Sequence, residues 1–168
     1  MTKPRVAILM GSDSDLEVMN EGARILDEFG IAYEIKVLSA HRCPEDLVEY
    51  VRQAPGQGVE IFICGAGGAA HLAGAVAAHT TRPVIGVPLN ATPLGGFDSL
   101  LATVQMPAGT PVATVAVGKP GSRNAALLAC QILALGDRTL APKLEAYKKK
   151  MADAARKKNE ALKKQPSS

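Results

Sequence analysis

The chain has 168 residues, of which 47% are hydrophobic and only 4% are aromatic, and its formal net charge is +3. This length and composition suit one globular domain over residues 1–168 and exclude an aromatic-rich β-sandwich. No apolar run reaches the roughly 18 residues that a membrane span needs, and the apolar run near the start is too short for a secretory signal. We therefore expect a cytoplasmic protein with no membrane partner.

Apolar periodicity predicts five strands that alternate with helices along the chain. The predicted strands cover residues 5–11, 33–39, 59–67, 83–89 and 111–118. The predicted helices cover residues 14–30, 44–55, 69–80, 97–105 and 122–136, and a basic helix follows over residues 144–164. Nearly continuous apolar strands fit a parallel sheet that is covered on both faces. The order of elements therefore predicts an α/β fold with three α/β/α layers around a doubly wound parallel sheet.

The last segment of the chain differs from the rest in charge. Residues 137–168 contain ten basic and four acidic residues, a net +6, whereas residues 1–136 carry a net −3. Apolar side chains recur there at helical spacing, at Leu144, Tyr147, Met151, Ala154 and Ala155. We expect an α/β core over 1–136 and a basic amphipathic helix over 137–168, with residues 163–168 frayed. Because Tyr147 belongs to the apolar stripe and no other aromatic side chain in 137–168 could stack bases, a nucleic-acid partner is disfavoured.

The cysteine and histidine spacings give no sign of a metal site. Cys43, Cys64 and Cys130 lie far apart and form no CxxC or Cys/His pattern, so we expect free thiols and no structural zinc. No HxxxH spacing indicates another metal, and the GxSxG motif of serine hydrolases is absent. His79 falls inside a predicted helix and is expected to be structural.

Polar and small residues gather where the predicted strands end. In doubly wound sheets, ligands bind outside the carboxyl ends of the strands. The five segments that follow the strands are rich in Gly, Ser or charged residues, and they cover residues 10–15, 39–42, 65–72, 88–96 and 118–124. We expect these segments to converge on one rim and to form the functional site there.

The first two of these segments together indicate a phosphosugar site. Ser12 and Ser14 place hydroxyls beside the free amides at the start of a helix, which suits an anion. Arg42 adds a planar cation suited to phosphate, and Asp15 can accept hydrogen bonds from sugar hydroxyls. The alternative for the first segment is ordinary helix capping by Ser12 or Asp13.

His41 is the candidate for proton transfer, because an imidazole titrates near neutral pH. The small residues of GAGGAAH, residues 65–71, indicate backbone that lies close to a flat ligand. This run is neither GxGxxG nor a Walker loop, so an NAD or ATP site is weakly supported. His71 is either a second polar contact to the ligand or a residue with a capping or packing role.

At these segments the sequence resembles the PurE family of purine biosynthesis. The resemblance runs from about Arg5 to Leu135 and is carried, in the family's order, by MGSDSD, SAHR, GAGGAAHL, GVP, VQMPAGTPVATVAVG and NAALLACQIL. It implies a flavodoxin-like fold and a homo-octamer in which the carboxy-terminal helix packs on a neighbouring subunit. It also implies a reaction that needs no metal, no ATP and no organic cofactor.

The family has two branches, which the residue after the His distinguishes. One is N5-carboxyaminoimidazole ribonucleotide mutase, which moves a carboxylate from the exocyclic nitrogen to carbon 4 of the imidazole. The other carboxylates aminoimidazole ribonucleotide with carbon dioxide. The mutase branch typically carries SAHR and the carboxylase branch a Lys after the His, so Arg42 favours the mutase, as does the QMP run at 105–107. The carboxylase, a non-catalytic module that senses nucleotide or phosphate, and nucleic-acid binding by the basic tail remain as alternatives.

The resemblance also implies roles for individual residues. His41 matches the general acid/base. The phosphoribosyl group of the small-molecule substrate would contact Ser12, Ser14, Asp15, Ser39, Ala40 and Arg42. The base and the carboxylate would lie against Gly67, Gly68, Ala69, Ala70, His71 and Leu72. Two residues depart from the family pattern. Cys43 stands where Thr is more usual, and Ala73 stands where Pro is often found directly after HL.

The implied mechanism is decarboxylation followed by recarboxylation in a closed site. Carbon dioxide leaves the carbamate, stays trapped, and is attacked by carbon 4, while a single His moves one proton. The resemblance leaves open a transient contact with the upstream ATP-dependent carboxylating synthase, which makes the unstable substrate.

Overall fold

The computed structural model describes residues 3–163, which fold into a five-stranded sheet and six α-helices. The strands are β1 (Val6–Met10), β2 (Tyr33–Val37), β3 (Ile61–Gly67), β4 (Val84–Leu89) and β5 (Ala113–Thr114). The helices are α1 (Leu16–Phe29), α2 (Pro44–Gln57), α3 (Leu72–Ala77), α4 (Phe97–Val104), α5 (Lys119–Ala134) and α6 (Leu140–Lys163), and a 3-10 turn over Asp13–Asp15 precedes α1. Of the residues predicted to fray, 164–168 lie outside this description.

All five strands are parallel and lie in the order β2-β1-β3-β4-β5. Val6 of β1 lies opposite Tyr33 on one side and opposite Ile61 on the other. The strand order therefore reverses at β1 and β3, which creates a crevice between the loops that follow these two strands. This topology confirms the predicted doubly wound, flavodoxin-like fold.

Helices cover both faces of the sheet. On one face, Ala7 and Leu9 of β1 belong to a buried cluster with side chains of α2 and α3, such as Leu47 and Val76. On the other face, α1 lies so close to β3 that a Cβ at Gly65 would be 2.4 Å from the sulfur of Met19. The buried strands read as unbroken apolar runs in the sequence because both of their faces are covered.

The first turns of α5 pack against α1. Ser122 accepts a hydrogen bond from the Gly22 amide (2.9 Å) and donates one to the Met19 carbonyl (3.2 Å). Beside this contact, the buried carboxylate of Glu21 is paired with Arg123 of α5 and with Arg24 of its own helix. These polar contacts fix α1, and with it the loop between β1 and α1.

Several elements begin or end away from their predicted limits. Strand β5 has two residues in place of the eight predicted over 111–118, and it pairs only with β4 at the sheet edge. Helix α3 covers 72–77 and not 69–80, since turns occupy the residues on both sides. His79, predicted to be structural within that helix, follows it and is exposed.

The chain divides into two compact units, Met1–Ala129 and Cys130–Ser168. The second unit contains the end of α5 and the whole of α6. In the turn before α6, the Asp137 carboxylate accepts hydrogen bonds from the Thr139 amide (3.1 Å) and the Thr139 hydroxyl (2.7 Å). The division between the two compact units falls within α5, and the predicted core over 1–136 stays a prediction. Among residues 3–163, no helix combines the length and the apolar character needed to cross a bilayer.

Candidate active site

A cavity of about 350 Å³ opens at the point where the strand order reverses. Its lining comes from the segments that follow β1, β2, β3 and β4, namely Gly11, Ser12, Ser14, Asp15, Ser39, Ala40, His41, Arg42, Ala66, Gly67, Ala69, Leu72 and Ala91. This volume is within the usual range for a small-molecule site. The rim that the sequence predicts is therefore present, although the fifth segment, 118–124, does not contribute to it.

The wall after β1 carries two serine hydroxyls. Ser12 accepts a hydrogen bond from the Ser14 amide at 3.4 Å, so it caps the short 3-10 turn that follows. The Ser14 hydroxyl also donates to the Ser12 hydroxyl at 3.0 Å. The sequence leaves capping and ligand binding as alternatives for these residues. The structure shows that Ser12 caps the turn while both hydroxyls line the cavity.

Asp15 adds a carboxylate to the same wall. Its burial raises its pKa above the ordinary value, because removal from water disfavours the charged form. Hydrogen bonds at Ser12 and Ser14, and the charge of Arg42, act in the opposite direction and lower the pKa. The carboxyl group thus lies in a partly desolvated position, where a sugar hydroxyl is a suitable partner.

The segment after β2 presents Arg42 at the mouth of the cavity. The buried hydroxyl of Ser39 accepts hydrogen bonds from the Arg42 amide (3.2 Å) and from Arg42 Nε (3.3 Å). The Arg42 Nη2 atom donates to the carbonyl of Gly11 across the crevice. The guanidinium is therefore fixed between two loops, next to the serine hydroxyls, and this group of donors suits a phosphate.

His41 has a partner in the other exposed histidine of the site. Its Nε2 atom lies 2.8 Å from Nδ1 of His71, and the two rings meet edge to face with centroids 4.9 Å apart. Such a hydrogen bond requires a proton on one nitrogen and a lone pair on the other. His71 is at the N-cap position of α3 but makes no side-chain cap hydrogen bond. The pair is thus a proton donor and a proton acceptor in direct contact.

The loop after β3 is shaped by small residues. A Cβ at Gly67 would lie 2.4 Å from Cβ of Ala91, so only glycine lets this strand end approach the loop after β4. Gly68 follows with φ +60°, a conformation that glycine adopts without strain. The amides of Ala70 and His71 donate to the carbonyls of Gly68 and Ala69, both at 2.8 Å, and complete a tight turn.

Ten of the thirteen residues predicted for the site line the cavity. The other three are Gly68 and Ala70, which shape the turn, and His71, which reaches the site through its contact with His41. Sequence reasoning missed Gly11, Ala66 and Ala91, which belong to the site only through backbone and small side chains. All three fall in segments that the sequence predicts at the rim, namely 10–15, 65–72 and 88–96, and this is the available signal.

The described residues offer no obvious metal centre. Within residues 3–163, no three His, Cys, Asp or Glu side chains form a group that could hold an ion. The three cysteines are free, as predicted, with Cys64 and Cys130 buried and Cys43 half-buried. Burial raises the pKa of Cys130 to about 12 and raises that of Cys64 as well, so both remain neutral thiols at physiological pH.

Comparison with known proteins shows the family. The family model described as AIR carboxylase matches residues 5–154. A protein from Pyrococcus horikoshii named N5-carboxyaminoimidazole ribonucleotide mutase is 56% identical over 149 residues, 89% of this chain and 83% of its own length. The Bacillus subtilis protein of that name is 54% identical, over 85% and 88% of the two chains.

Two further matches extend this comparison. Phosphoribosylaminoimidazole carboxylase of Schizosaccharomyces pombe is 50% identical over 96% of this chain, which corresponds to 29% of that longer protein. The crystal structure of Treponema denticola PurE superposes with a TM-score of 0.86 at 30% identity, over 96% of this chain and 99% of that one. The sequence and the fold agree, and the chain belongs to the AIR carboxylase family.

Proposed function

We propose that this protein is an N5-carboxyaminoimidazole ribonucleotide mutase, the isomerase of purine biosynthesis that forms 4-carboxy-5-aminoimidazole ribonucleotide. Bacterial and archaeal relatives that are 49–56% identical over most of the chain carry this name. One observation carries the proposal within the molecule: Arg42 and two serine hydroxyls share a cavity with His41, whose imidazole contacts that of His71. Arg42 and the serines in such a cavity can bind a phosphate, while the histidines can transfer a proton.

The phosphoribosyl group binds at the end of the cavity formed by the loops after β1 and β2. Arg42 supplies the charge, and Ser12, Ser14 and Ser39 supply hydroxyl donors around it. Asp15 accepts hydrogen bonds from the ribose hydroxyls. Its raised pKa supports this role, because a partly desolvated carboxylate gains from such partners.

The imidazole base and the migrating carboxylate lie against the loop after β3. Apart from His71, residues 67–72 have small or apolar side chains, so a planar base can approach their backbone closely. Carbon dioxide, once released, must stay in the site until carbon 4 captures it. An enclosed pocket that excludes water would keep it there, and backbone dipoles would stabilise the charge on the carboxylate.

His41 moves the proton that the isomerisation requires. The carbamate C–N bond breaks, carbon dioxide leaves, and the exocyclic nitrogen receives a proton from His41. Carbon 4 then forms a bond with carbon dioxide and gives its own proton back to His41. Protons balance over the cycle, and no metal, ATP or organic cofactor takes part. The 2.8 Å contact with His71 supports a proton shared between two imidazoles, where the sequence suggests a single histidine.

The assembly and the location are proposals as well. We infer a homo-octamer in the cytoplasm, in which α6 packs its apolar stripe on a neighbouring subunit. Met151 of this stripe and Leu162, nearer the end of α6, are more than half exposed within the single chain, which supports a partner for this helix. The upstream carboxylating synthase would contact the octamer transiently.

The test is product formation from N5-carboxyaminoimidazole ribonucleotide in buffer depleted of carbon dioxide, followed by ultraviolet absorbance. A parallel reaction contains aminoimidazole ribonucleotide and bicarbonate. We expect fast conversion in the first reaction and little in the second, because the substrate brings its own carbon dioxide. A bicarbonate-dependent second reaction, with a slow first one, would contradict the proposal.

The second candidate is the direct carboxylase. It is favoured by the 50% identity to the Schizosaccharomyces pombe protein named phosphoribosylaminoimidazole carboxylase, and by the family description itself. Both reactions form the same product in a site of the same type. The pair of reactions described above separates them, since only the carboxylase depends on added bicarbonate.

A further inference from the structure

Cys43 makes contacts that neither its helix nor the proposed chemistry requires. The residue is at the N-cap position of α2, and its carbonyl accepts a hydrogen bond from the amide of Leu47 at 3.1 Å. An N-cap side chain usually accepts an amide of its own first turn. The Cys43 side chain makes no such bond and turns back to Ser39.

The thiol and backbone of Cys43 close the loop that carries the site. Its sulfur accepts a hydrogen bond from the Ser39 amide (3.2 Å), and the thiol donates to the Ser39 carbonyl (3.5 Å). The Cys43 amide donates to the same carbonyl at 3.1 Å. Both backbone groups of Ser39 are therefore held by a residue at the start of a 14-residue helix.

The position of Ser39 in turn decides where Arg42 points. Ser39 is only 8% exposed, and its hydroxyl accepts hydrogen bonds from both the amide and the Nε atom of Arg42. A shift of Ser39 would therefore move the guanidinium, together with its contact to the Gly11 carbonyl. The chain of contacts runs from Cys43 to Ser39 and on to Arg42.

We propose that Cys43 is a positioning residue for the substrate's phosphate: its thiol fixes Ser39, which in turn holds Arg42 in the binding orientation. The inference rests on the proposed function, in which Arg42 binds the phosphoribosyl group. A group at this position must both donate and accept a hydrogen bond, which a thiol or a hydroxyl can do. A methyl group of similar size cannot.

The test compares Cys43→Val with Cys43→Thr, because the two side chains have the same shape and differ only in the hydroxyl. We expect Cys43→Val to raise the KM for N5-carboxyaminoimidazole ribonucleotide about threefold to tenfold, as for one lost hydrogen bond, and to change kcat less than twofold. Cys43→Thr should restore the KM of the unmodified protein. Equal KM values for the two variants would overturn the proposal.

Two further measurements distinguish the positioning of Arg42 from a contribution of Cys43 to stability alone. Thermal unfolding detects a merely structural role, because such a role would lower the Tm of Cys43→Val below that of Cys43→Thr while the two variants kept equal KM values. Titration with ribose 5-phosphate, followed by calorimetry, tests the phosphate site even if the protein shows no turnover at all. Weaker binding by Cys43→Val than by Cys43→Thr would support the role of Cys43, and equal binding would contradict it.

Discussion

The contact between His41 and His71 joins two imidazoles from separate loops, and in the proposed mechanism the proton is shared between them. Each imidazole is exposed, and the nitrogens that meet are Nε2 of His41 and Nδ1 of His71. The hydrogen bond that joins them involves no carboxylate. A proton held between two imidazoles can move in either direction with little change in charge, and this suits an isomerisation that consumes no net proton.

Replacement of His41 by Asn should abolish turnover and leave binding intact. An amide cannot exchange a proton near neutral pH, so we expect kcat to fall by about 10² to 10⁴-fold. The substitution leaves Arg42 and the serines, the proposed phosphate ligands, in place, so the Kd for the product should stay within about twofold. Product formation followed by ultraviolet absorbance gives kcat, and calorimetric titration with the product gives the Kd.

His79→Asn is the matched control for that variant. His79 is also exposed, but it follows α3 and does not line the cavity. The kcat of His79→Asn should equal that of the unmodified protein. Retained turnover in His41→Asn would remove His41 from the proposed mechanism, whatever the control shows.

The sequence was sufficient to predict which side chains with functional groups would line the cavity, and their roles in binding and catalysis stay predictions. The positions of Ser12, Arg42 and His41 could be predicted because each follows a strand, and the carboxyl ends of parallel strands meet at one edge of the sheet. Ala66 and Ala91 could not, because an alanine that forms a wall has the same signature as one in a core. The pairing of His41 with His71 spans thirty residues and depends on how two loops are placed, which local patterns do not contain.

Among the secondary structure elements, the buried strands were the easiest to predict and the exposed edge was the hardest. Strands β1, β3 and β4 are buried over most of their length, so their apolar runs are continuous. β5 pairs on one side only, and Pro111 and Gly118 bracket its segment, so an apolar run of eight gives a ladder of two. Edge strands are often short, because a short edge exposes few unpaired backbone groups to another chain.

The ion pair of Glu21 should stabilise the contact between α1 and α5 in a pH-dependent way. The hydrogen bond from Arg123 is the main cause that lowers the pKa of Glu21 below 4.5. A lowered pKa means that the charged form is favoured by folding, so its contribution is present above pH 4.5 and is lost as the pH falls through the folded-state value. Glu21→Gln should therefore lower the Tm at pH 7, and the difference should shrink below pH 4.5.

Glu17→Gln provides the comparison, since Glu17 also joins α1 to α5, through Lys119 at 2.5 Å. The Glu17 side chain is 80% exposed, whereas that of Glu21 is 10% exposed. Solvent and salt screen the exposed pair, so its loss should change the Tm less than the loss of Glu21. Equal shifts for the two variants at pH 7 would show that burial of Glu21 adds nothing. Calorimetric scans at pH 7 and pH 3.5 give both comparisons.

At the scale of the whole molecule, the two compact units differ in character. The first carries the sheet and the site, and the second contains the long basic helix α6. Within α6, Leu144 and Tyr147 are half-buried, whereas Met151 and Leu162 are more than half exposed. Apolar side chains that stay this exposed along one face of a helix usually mark a face that another surface covers. The proposed subunit contact would cover the stripe and leave the positive charge of the helix facing solvent.

A single charge in this stripe should separate the subunits. Met151→Asp places a carboxylate in the apolar stripe, and burial of an unpaired charge in an interface is costly. We expect sedimentation equilibrium to give a smaller assembly for this variant than for the unmodified protein. Ala152→Asp adds the same charge at the next, exposed position of α6, outside the stripe, and should leave the assembly unchanged. If Met151→Asp sediments as the unmodified protein does, the apolar stripe is not a subunit contact. In that case the basic face of α6 would need another partner, and filter binding to nucleic acid at increasing salt would test the remaining alternative.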